Sequence, residues 1–266
     1  MTRRPLAVVV PVYGDWQPLL RLLEDLGPLT ALSVVVSVDP PPEPLPEGVR
    51  HLAAAIPGRG EQLAQGIDAV AAEWYWMVHA DSRIGAECVA QLEAVVQRER
   101  PAWGRFDVRL EPGRPSLKLV AFFMNLRSRL TGICTGDQGI FVHYSLLTAA
   151  GGMPRQPLME DIELSSRLRR LTRPVILPGP LRTSARRWNR DGVLRTILRM
   201  WGFRLRYWMG ACPSRLARAY YHRPAEPRQP LPDADRSPET GPETTSAPGP
   251  EAGQQPPQGA ATDRTR

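Results

Sequence analysis

The feature that most constrains this chain is a series of short apolar runs that alternate with segments whose apolar residues recur at helical spacing. Leu6-Ala7-Val8-Val9-Val10 is rich in β-branched valine and shows no polar alternation, the pattern of a strand buried on both faces of a parallel sheet. Pro11 is expected to close it. Trp16 to Leu26 repeats leucine at 19, 20, 22, 23 and 26 and stops near Gly27-Pro28, which reads as a helix. Leu32 to Val38 is a second buried strand with Asp39 at its end, and a proline-rich loop, Pro40 to Pro46, follows. Glu61 to Ala72 reads as a helix, Trp74 to Val78 as a strand ending at His79-Ala80-Asp81, and Ala86 to Arg98 as a helix. This β-α-β-α-β order implies an α/β domain with a Rossmann-like, mostly parallel sheet flanked by helices.

The second half is less regular. Trp103 to Leu110 alternates and predicts a strand, and Ser116 to Arg129 a helix. Gly136-Asp137-Gln138-Gly139 lies in a glycine-punctuated loop before a short strand, Ile140 to Val142. Met159-Glu160-Asp161 opens another helix, and Val175 to Leu177 forms one more strand. Asp191 is placed to cap a last amphipathic helix over about 191–221, which mixes Leu194, Ile197, Leu198, Trp201, Phe203, Leu205 and Trp208 with Arg195, Arg199, Arg204 and Arg206. Such a helix suits either the headgroup region of an anionic membrane or a sheet edge with its arginines solvated.

Composition sets the boundary of the folded part. Residues 224–266 hold ten prolines and four glycines, with Leu231 as the only large aliphatic side chain. A stretch like that cannot bury enough apolar surface to offset backbone ordering, so a disordered tail is expected after a single domain over 1–223. The tail contributes a net −3 to the chain's +7, which leaves +10 for the first 223 residues. Between Leu164 and Arg223 stand fifteen arginines and one acid, Asp191. That excess suits phosphate in a nucleotide diphosphate, an anionic lipid or a nucleic acid. No recognition module accompanies it, so a nucleic-acid partner is not expected. Cys88, Cys134 and Cys212 are scattered and odd in number, which argues against a disulfide framework or a structural zinc site. Leu6 to Val10 is too short for a signal peptide core, and no run reaches the roughly 18 apolar residues of a spanning helix.

In doubly wound sheets ligands bind beyond the carboxyl ends of the strands. Asp15, Asp39 and the pair His79 and Asp81 stand at three such ends and form a candidate rim. An acid after a strand is also common in any loop.

Taken together, Val8-Val9-Val10-Pro11-Val12, Asp39, Gly58-Arg59-Gly60-Glu61-Gln62 with Gly66, His79-Ala80-Asp81, Gly136-Asp137-Gln138-Gly139, Met159-Glu160-Asp161-Ile162-Glu163-Leu164 and Ser184-Ala185-Arg186-Arg187-Trp188 form an ordered set. In that order and spacing the chain resembles family 2 of the glycosyltransferases, inverting enzymes with a GT-A fold. The resemblance covers residues 6–220 and is nearest to the bacterial branch described as radical-SAM/selenodomain-associated transferases. It implies a nucleotide-binding half over about 1–100 and an acceptor half over about 101–190. It implies that Pro11, Asp39, Arg59, His79 and Asp81 face a nucleotide-diphosphate sugar, and that Asp81 holds Mg²⁺ or Mn²⁺. His79 replaces the first carboxylate of the family's D-x-D motif, and Pro40-Pro41 replaces a glycine-bearing turn. Asp161, beside Glu160, is implied as general base, and Arg187 as the group that steadies the departing diphosphate. Asp137, Gln138 and Trp188 are implied on the acceptor side.

The expected activity is therefore transfer of a sugar to a small or lipid-linked acceptor, in the cytoplasm or peripherally at the inner face of the cell membrane. The alternative is a catalytically weakened GT-A-like module that docks on a membrane or a protein partner. A nucleotidyltransferase fits less well, because no glycine-rich phosphate loop with a lysine lies near the N-terminus.

Overall fold

The structure, a computed structural model, describes residues 3–98 and 100–221. The expected tail, 224–266, lies outside the described residues. The first strand, β1 (Arg4–Val12), is joined by α1 (Gln17–Leu26) and a short 3-10 helix (Gly27–Leu32) to β2 (Ser33–Ser37) and β3 (Arg50–Ala53). Then come α2 (Arg59–Asp68), β4 (Ala72–Met77), the two-residue β5 (Ser82–Arg83) and α3 (Ala86–Val96). The second half comprises β6 (Trp103–Glu111), α4 (Pro115–Thr131), a 3-10 turn (Gly136–Gln138), β7 (Phe141–His143), α5 (Tyr144–Ala149) and α6 (Glu160–Leu171). It ends with β8 (Val175–Ser184), α7 (Arg186–Asp191), α8 (Val193–Trp208) and α9 (Pro213–Tyr221).

All eight strands join one sheet in the order β3-β2-β1-β4-β7-β6-β8-β5. β1 runs parallel to β2 and β4, β2 to β3, and β6 to β8; β7 is inserted antiparallel between β4 and β6, and β5 lies antiparallel on β8. The expected mostly parallel α/β sheet, flanked by helices, is the observed one.

Burial explains why β1 shows no alternation. Leu6, Val8, Val10 and Val12 enter one core with Leu19, Leu22, Leu23 and Leu26 of α1 and Leu92 of α3. Ala7 and Val9 enter the other, with Leu63, Ala64 and Ile67 of α2 and Leu164 and Leu168 of α6. Each fully buried leucine contributes about 2 kcal/mol, an upper figure because unfolded chains are already partly compact. Gly66 lets α2 approach the sheet, since a Cβ there would stand 2.5 Å from Val9 and 3.1 Å from Val36.

Three expectations need correction. Pro11 does not end β1, which continues to Val12 with Pro11 opposite Val36. Val9 directs its carbonyl toward β4, accepting from the Val78 N–H at 3.1 Å, so Pro11 faces the same flank two residues on. The β4 ladder has ended there, and the missing N–H leaves no bond unmade. The basic segment 191–221 is two helices, α8 and α9, broken around Gly210 (φ 89°) and Pro213. Asp191 does not cap α8 either; Gly192 occupies the N-cap, and Asp191 pairs with its neighbour Arg190 at 2.7 Å. The sequence reading also missed β3 and α5, and β8 runs well beyond Leu177.

The inner face of α8 packs in two places. Val193 and Ile197 meet Leu117, Val120 and Ala121 of α4, while Phe203 and Tyr207 meet Leu158, Met159 and Ile162 at the start of α6. Its outer face carries Leu194, Leu198, Trp201, Leu205 and Trp208 at alternating spacings of four and three, all exposed.

Candidate functional site

The acids named at the strand ends stand along one edge of the sheet. β2, β1 and β4 are successive parallel neighbours, so the ends of β2 and β4 lie roughly 10 Å apart. Gln62 of α2 ties two of them together, donating to the carbonyls of Val12 and Val36 at 2.8 Å each. Beyond these ends Asp39 and Asp81 are exposed, and neither carboxylate has a hydrogen bond or ion pair among the described residues. Asp15 differs: its carboxylate accepts from the Gln17 N–H at 3.3 Å and from exposed Arg186 of α7 at 3.2 Å. Pro11 lies half-buried in β1, just short of this rim.

A second layer converges where α2, β4, the 3-10 turn and α6 meet. Arg59, the first residue of α2, donates to Glu160 through Nε, lies 3.6 Å from Asp161 Oδ2 through Nη2, and donates to His79 Nε2 at 3.1 Å. Burial alone would lower the Arg59 pKa, but the Glu160 and Asp161 carboxylates outweigh it and raise it further above its ordinary value. Arginine can only donate, so His79 Nε2 must accept. The ring proton then sits on Nδ1, 3.1 Å from Asp137 Oδ1. Both ring nitrogens of His79 thus have protein partners, and the ring stands as a brace between Arg59 and Asp137. Gly136 makes room for the ring, because a Cβ there would stand 2.4 Å from His79 Nε2.

Asp161 is held on both oxygens. Oδ2 accepts from the Gly136 N–H at 2.8 Å and Oδ1 from the Ile162 N–H at 2.8 Å. Glu160 beside it is 1% exposed, and its Oε2 has no hydrogen-bond partner among the described residues. Burial pushes the Glu160 carboxyl up, Arg59 opposes this, and the neighbouring Asp161 charge adds to it. Met159 precedes them at φ 64°, a left-handed conformation that a branch-free side chain tolerates at a cost of order 1 kcal/mol, and it starts α6 so that both acids face inward. A small cavity lies here, lined by His79, Gly136, Glu160 and Asp161 above Leu63 and Leu164.

The acceptor-side expectations divide. Asp137 is in place beside His79. Gln138 is not available to a ligand: it is fully buried, accepts from the Thr135 N–H at 3.1 Å and donates to Asn125 at 3.4 Å. With Thr135 it forms a capping box that shapes the 3-10 turn. Trp188, half-buried, packs against the cluster of Leu117, Val120 and Ala121. Arg187 lies in α7, and its side chain is outside the described part of the structure.

Two arginines near Asp161 went unread in the sequence. Arg127 of α4 and Arg204 of α8 are half-buried, and Nε and Nη2 of Arg127 and Nε of Arg204 are buried without an acceptor. Burial and the like charge of Arg204 lower the Arg127 pKa to about 10, against the pull of Asp161. Burial also lowers that of Arg204, against Asp161 and Asp137. Their signal was present: both stand on the inward stripes of amphipathic helices, where an apolar residue is the norm.

For a metal, no group of three or more His, Cys, Asp or Glu among the described residues is poised to act as a cage. Asp81, at the end of β4, is exposed and has no hydrogen bond or ion pair among the described residues. One carboxylate suits a hard cation that takes its remaining oxygens from a diphosphate and water, so the residues present fit Mg²⁺ or Mn²⁺ bound together with a nucleotide.

No family model and no curated protein sequence matches the chain. Solved structures do. Staphylococcus aureus TarS aligns with a TM-score of 0.52 at 16% identity, over 72% of this chain and 38% of TarS. TarS 1–349 in complex with UDP aligns at 0.51 and 16% identity, over 67% of this chain and 60% of that one. The chain thus spans less than two thirds of the length of these relatives in structure. At such identities the likeness speaks for architecture: a single α/β domain with a curled, mostly parallel sheet flanked by helices, which is the GT-A fold.

Proposed function

We propose that the protein is a glycosyltransferase that moves a sugar from a nucleotide diphosphate to an acceptor hydroxyl, with inversion, as in family 2. The observation that carries this reading is the arrangement of three acids. Asp39 and Asp81 stand unengaged at the ends of β2 and β4, and Asp161 is fixed deeper, beside Arg59 and Gly136. The order of the family-like motifs along residues 6–220 supports it, as does the UDP in the TarS 1–349 structure on a similar fold.

In this reading Asp39 contacts the nucleoside and Asp81 holds a divalent cation, which neutralises the diphosphate charge when bound. The acceptor oxygen bonds to the anomeric carbon, and the bond from that carbon to the diphosphate breaks. The electron pair leaves on the nucleoside diphosphate, and the acceptor's proton passes to Asp161. The two backbone N–H groups on Asp161 leave each oxygen a lone pair for that proton while fixing the carboxylate's direction. Arg59 holds Asp161 and Glu160 in register, and Arg187 is assigned to the departing diphosphate.

A membrane-linked acceptor is favoured by α8. Its exposed stripe of Leu194, Leu198, Trp201, Leu205 and Trp208 stands among Arg195, Arg199 and Arg206, the pattern of a helix lying in an anionic headgroup layer. Among the described residues no helix is long and apolar enough to cross a membrane, so contact would be peripheral, and we place it at the cytoplasmic face.

The test is a thermal-shift panel of nucleoside diphosphates and their sugars, with and without Mg²⁺ or Mn²⁺, on wild type and Asp81→Ala. A ligand at about 100 times its Kd adds roughly 2.7 kcal/mol. One nucleotide should stabilise the wild type only with cation, and Asp81→Ala should lose that effect while melting at the same temperature unliganded. A wild type that no nucleotide shifts would leave the second reading, a binding module. That reading draws on His79, whose ring serves Arg59 and Asp137 in the place of a metal-binding carboxylate.

A further inference from the structure

Buried arginines in this molecule are generally matched. Arg105 is fully buried, yet it donates to Asp107, to the Phe106 carbonyl at 3.0 Å and to the Asn125 carbonyl at 3.1 Å. Arg59 has Glu160, Asp161 and His79. Nε of Arg105 and of Arg182 is also buried without an acceptor, but each of those guanidinium groups pairs with an acid, Asp107 and Glu111 respectively. Arg127 and Arg204 have three such nitrogens between them and, among the described residues, no side-chain hydrogen bond or ion pair at all. An unmet charged donor is expensive to bury, so a protein that keeps two side by side has an acceptor in view that is not its own.

Position says which one. Arg127 shares the face of α4 that carries Val120 and Met124, and that face packs with Val193 and Ile197 of α8, the helix that carries Arg204. Arg204 follows Phe203, which packs on Met159 just before Glu160 and Asp161. The carboxylates felt by this pair are Asp161 and Asp137, while the free acids of the donor rim, Asp39 and Asp81, are not among them. The strand-end side of Asp161 is already taken by Arg59.

We infer that Arg127 and Arg204 form an anion subsite on the acceptor side of Asp161, built for a phosphate carried by the acceptor. The inference rests on the transferase reading above and names the acceptor's chemical class. Two guanidinium forks match a phosphate's tetrahedral oxygens, and cancelling their mutual repulsion adds to the gain on binding. The phosphate would anchor the acceptor so that its hydroxyl meets Asp161. It can belong to a lipid headgroup, reached through the exposed stripe on α8, or to a small soluble ester.

The test uses the full chain and calorimetric titration with inorganic phosphate, and separately with UDP and Mg²⁺. Phosphate should bind the wild type, and Arg127→Gln and Arg204→Gln should each weaken it about tenfold or more, with UDP affinity changed less than twofold. The lysine variants keep the charge without the fork and should lose less. Because the donors are unmet without ligand, Arg127→Met should fold and melt about 2–4 °C higher than wild type in phosphate-free buffer. No phosphate binding by the wild type, equal binding by both glutamine variants, or a parallel loss of UDP would each overturn the subsite, the last by assigning the arginines to the donor's diphosphate.

Competition then separates the sources. Glycerol 3-phosphate displacing inorganic phosphate assigns a soluble acceptor, and phosphatidylcholine vesicles containing phosphatidic acid doing so assign a lipid one. Displacement by neither removes the acceptor assignment. Absence of UDP binding sinks the transferase reading and this assignment with it, whereas failure of the phosphate titration alone sinks only the subsite.

Discussion

Arg59 and the Arg127–Arg204 pair all act on Asp161, and they do so in opposite electrostatic states. Arg59 comes from the sheet-bound helix α2 and finds its counter-charges within the protein, in Glu160 and Asp161, which hold its proton more firmly than water would. Arg127 and Arg204 come from the outer helices α4 and α8 and have no bonded acid among the described residues; burial, joined for Arg127 by the charge of Arg204, weakens their hold against the more distant pull of Asp161. The first niche is complete and serves to fix two carboxylates. The second is incomplete and serves something from outside. A guanidinium is a structural part or a binding part according to who supplies the anion.

Predictions on the carboxylate and arginine at the complete niche carry the largest effects. Asp161→Asn keeps the shape but cannot take a proton; nucleotide-sugar turnover with a membrane extract as acceptor source should fall about 10²–10⁴-fold while UDP affinity holds. Full turnover in this variant would break the assignment of Asp161 as base. Arg59→Met leaves Glu160 buried and unpaired, and denaturant unfolding at pH 7 should show a loss of about 3 kcal/mol. A loss below about 1 kcal/mol would mean that the niche is not a structural part.

Glu160 sharpens the same comparison through pH. Its pKa in the folded protein is raised above the ordinary value of 4.5, chiefly by burial. The folded state therefore holds this proton when the unfolded chain has lost it, and stability from this group is full below about pH 4.5 and falls as pH rises through the folded value. Glu160→Gln should accordingly gain stability relative to wild type as pH rises above 4.5, read as a diverging pair of unfolding midpoints. Parallel midpoints would show that Arg59 cancels the burial. The smallest effect belongs to the outer face of α8. Trp201 is 67% exposed, so Trp201→Ser should change unfolding free energy by less than about 0.5 kcal/mol. It should nonetheless weaken binding to vesicles containing phosphatidylserine; unchanged binding would remove the membrane contact.

The first hundred residues were the more legible half. Buried parallel strands announce themselves as unbroken valine runs, and α1 shows its leucines at helical spacing, so five of the six strands and α-helices from β1 to β4 were read from pattern alone. β3 was missed because Arg50-His51-Leu52-Ala53, half exposed at the sheet edge, carries no apolar run. The acids at the rim were legible by place, since a residue after a buried strand has only one end of the sheet to stand on. The surroundings of Gln138 and Trp188 were not legible, because a motif records a residue's neighbours in sequence and not the direction of its side chain. Pro11 misled for a related reason: whether a proline ends a strand depends on which flank its missing N–H faces.

By itself the sequence determined the class of fold, the strand-end acids and the basic excess of the C-terminal third, because each follows from local periodicity, order or counting. Only the tertiary structure decided that His79 is a brace, that Glu160 is sealed beside Arg59, and that Arg127 and Arg204 meet near Asp161. Those facts join residues up to 101 positions apart, as from Arg59 to Glu160. The field at a charged group is set by what packs around it, and packing is a property of the folded chain.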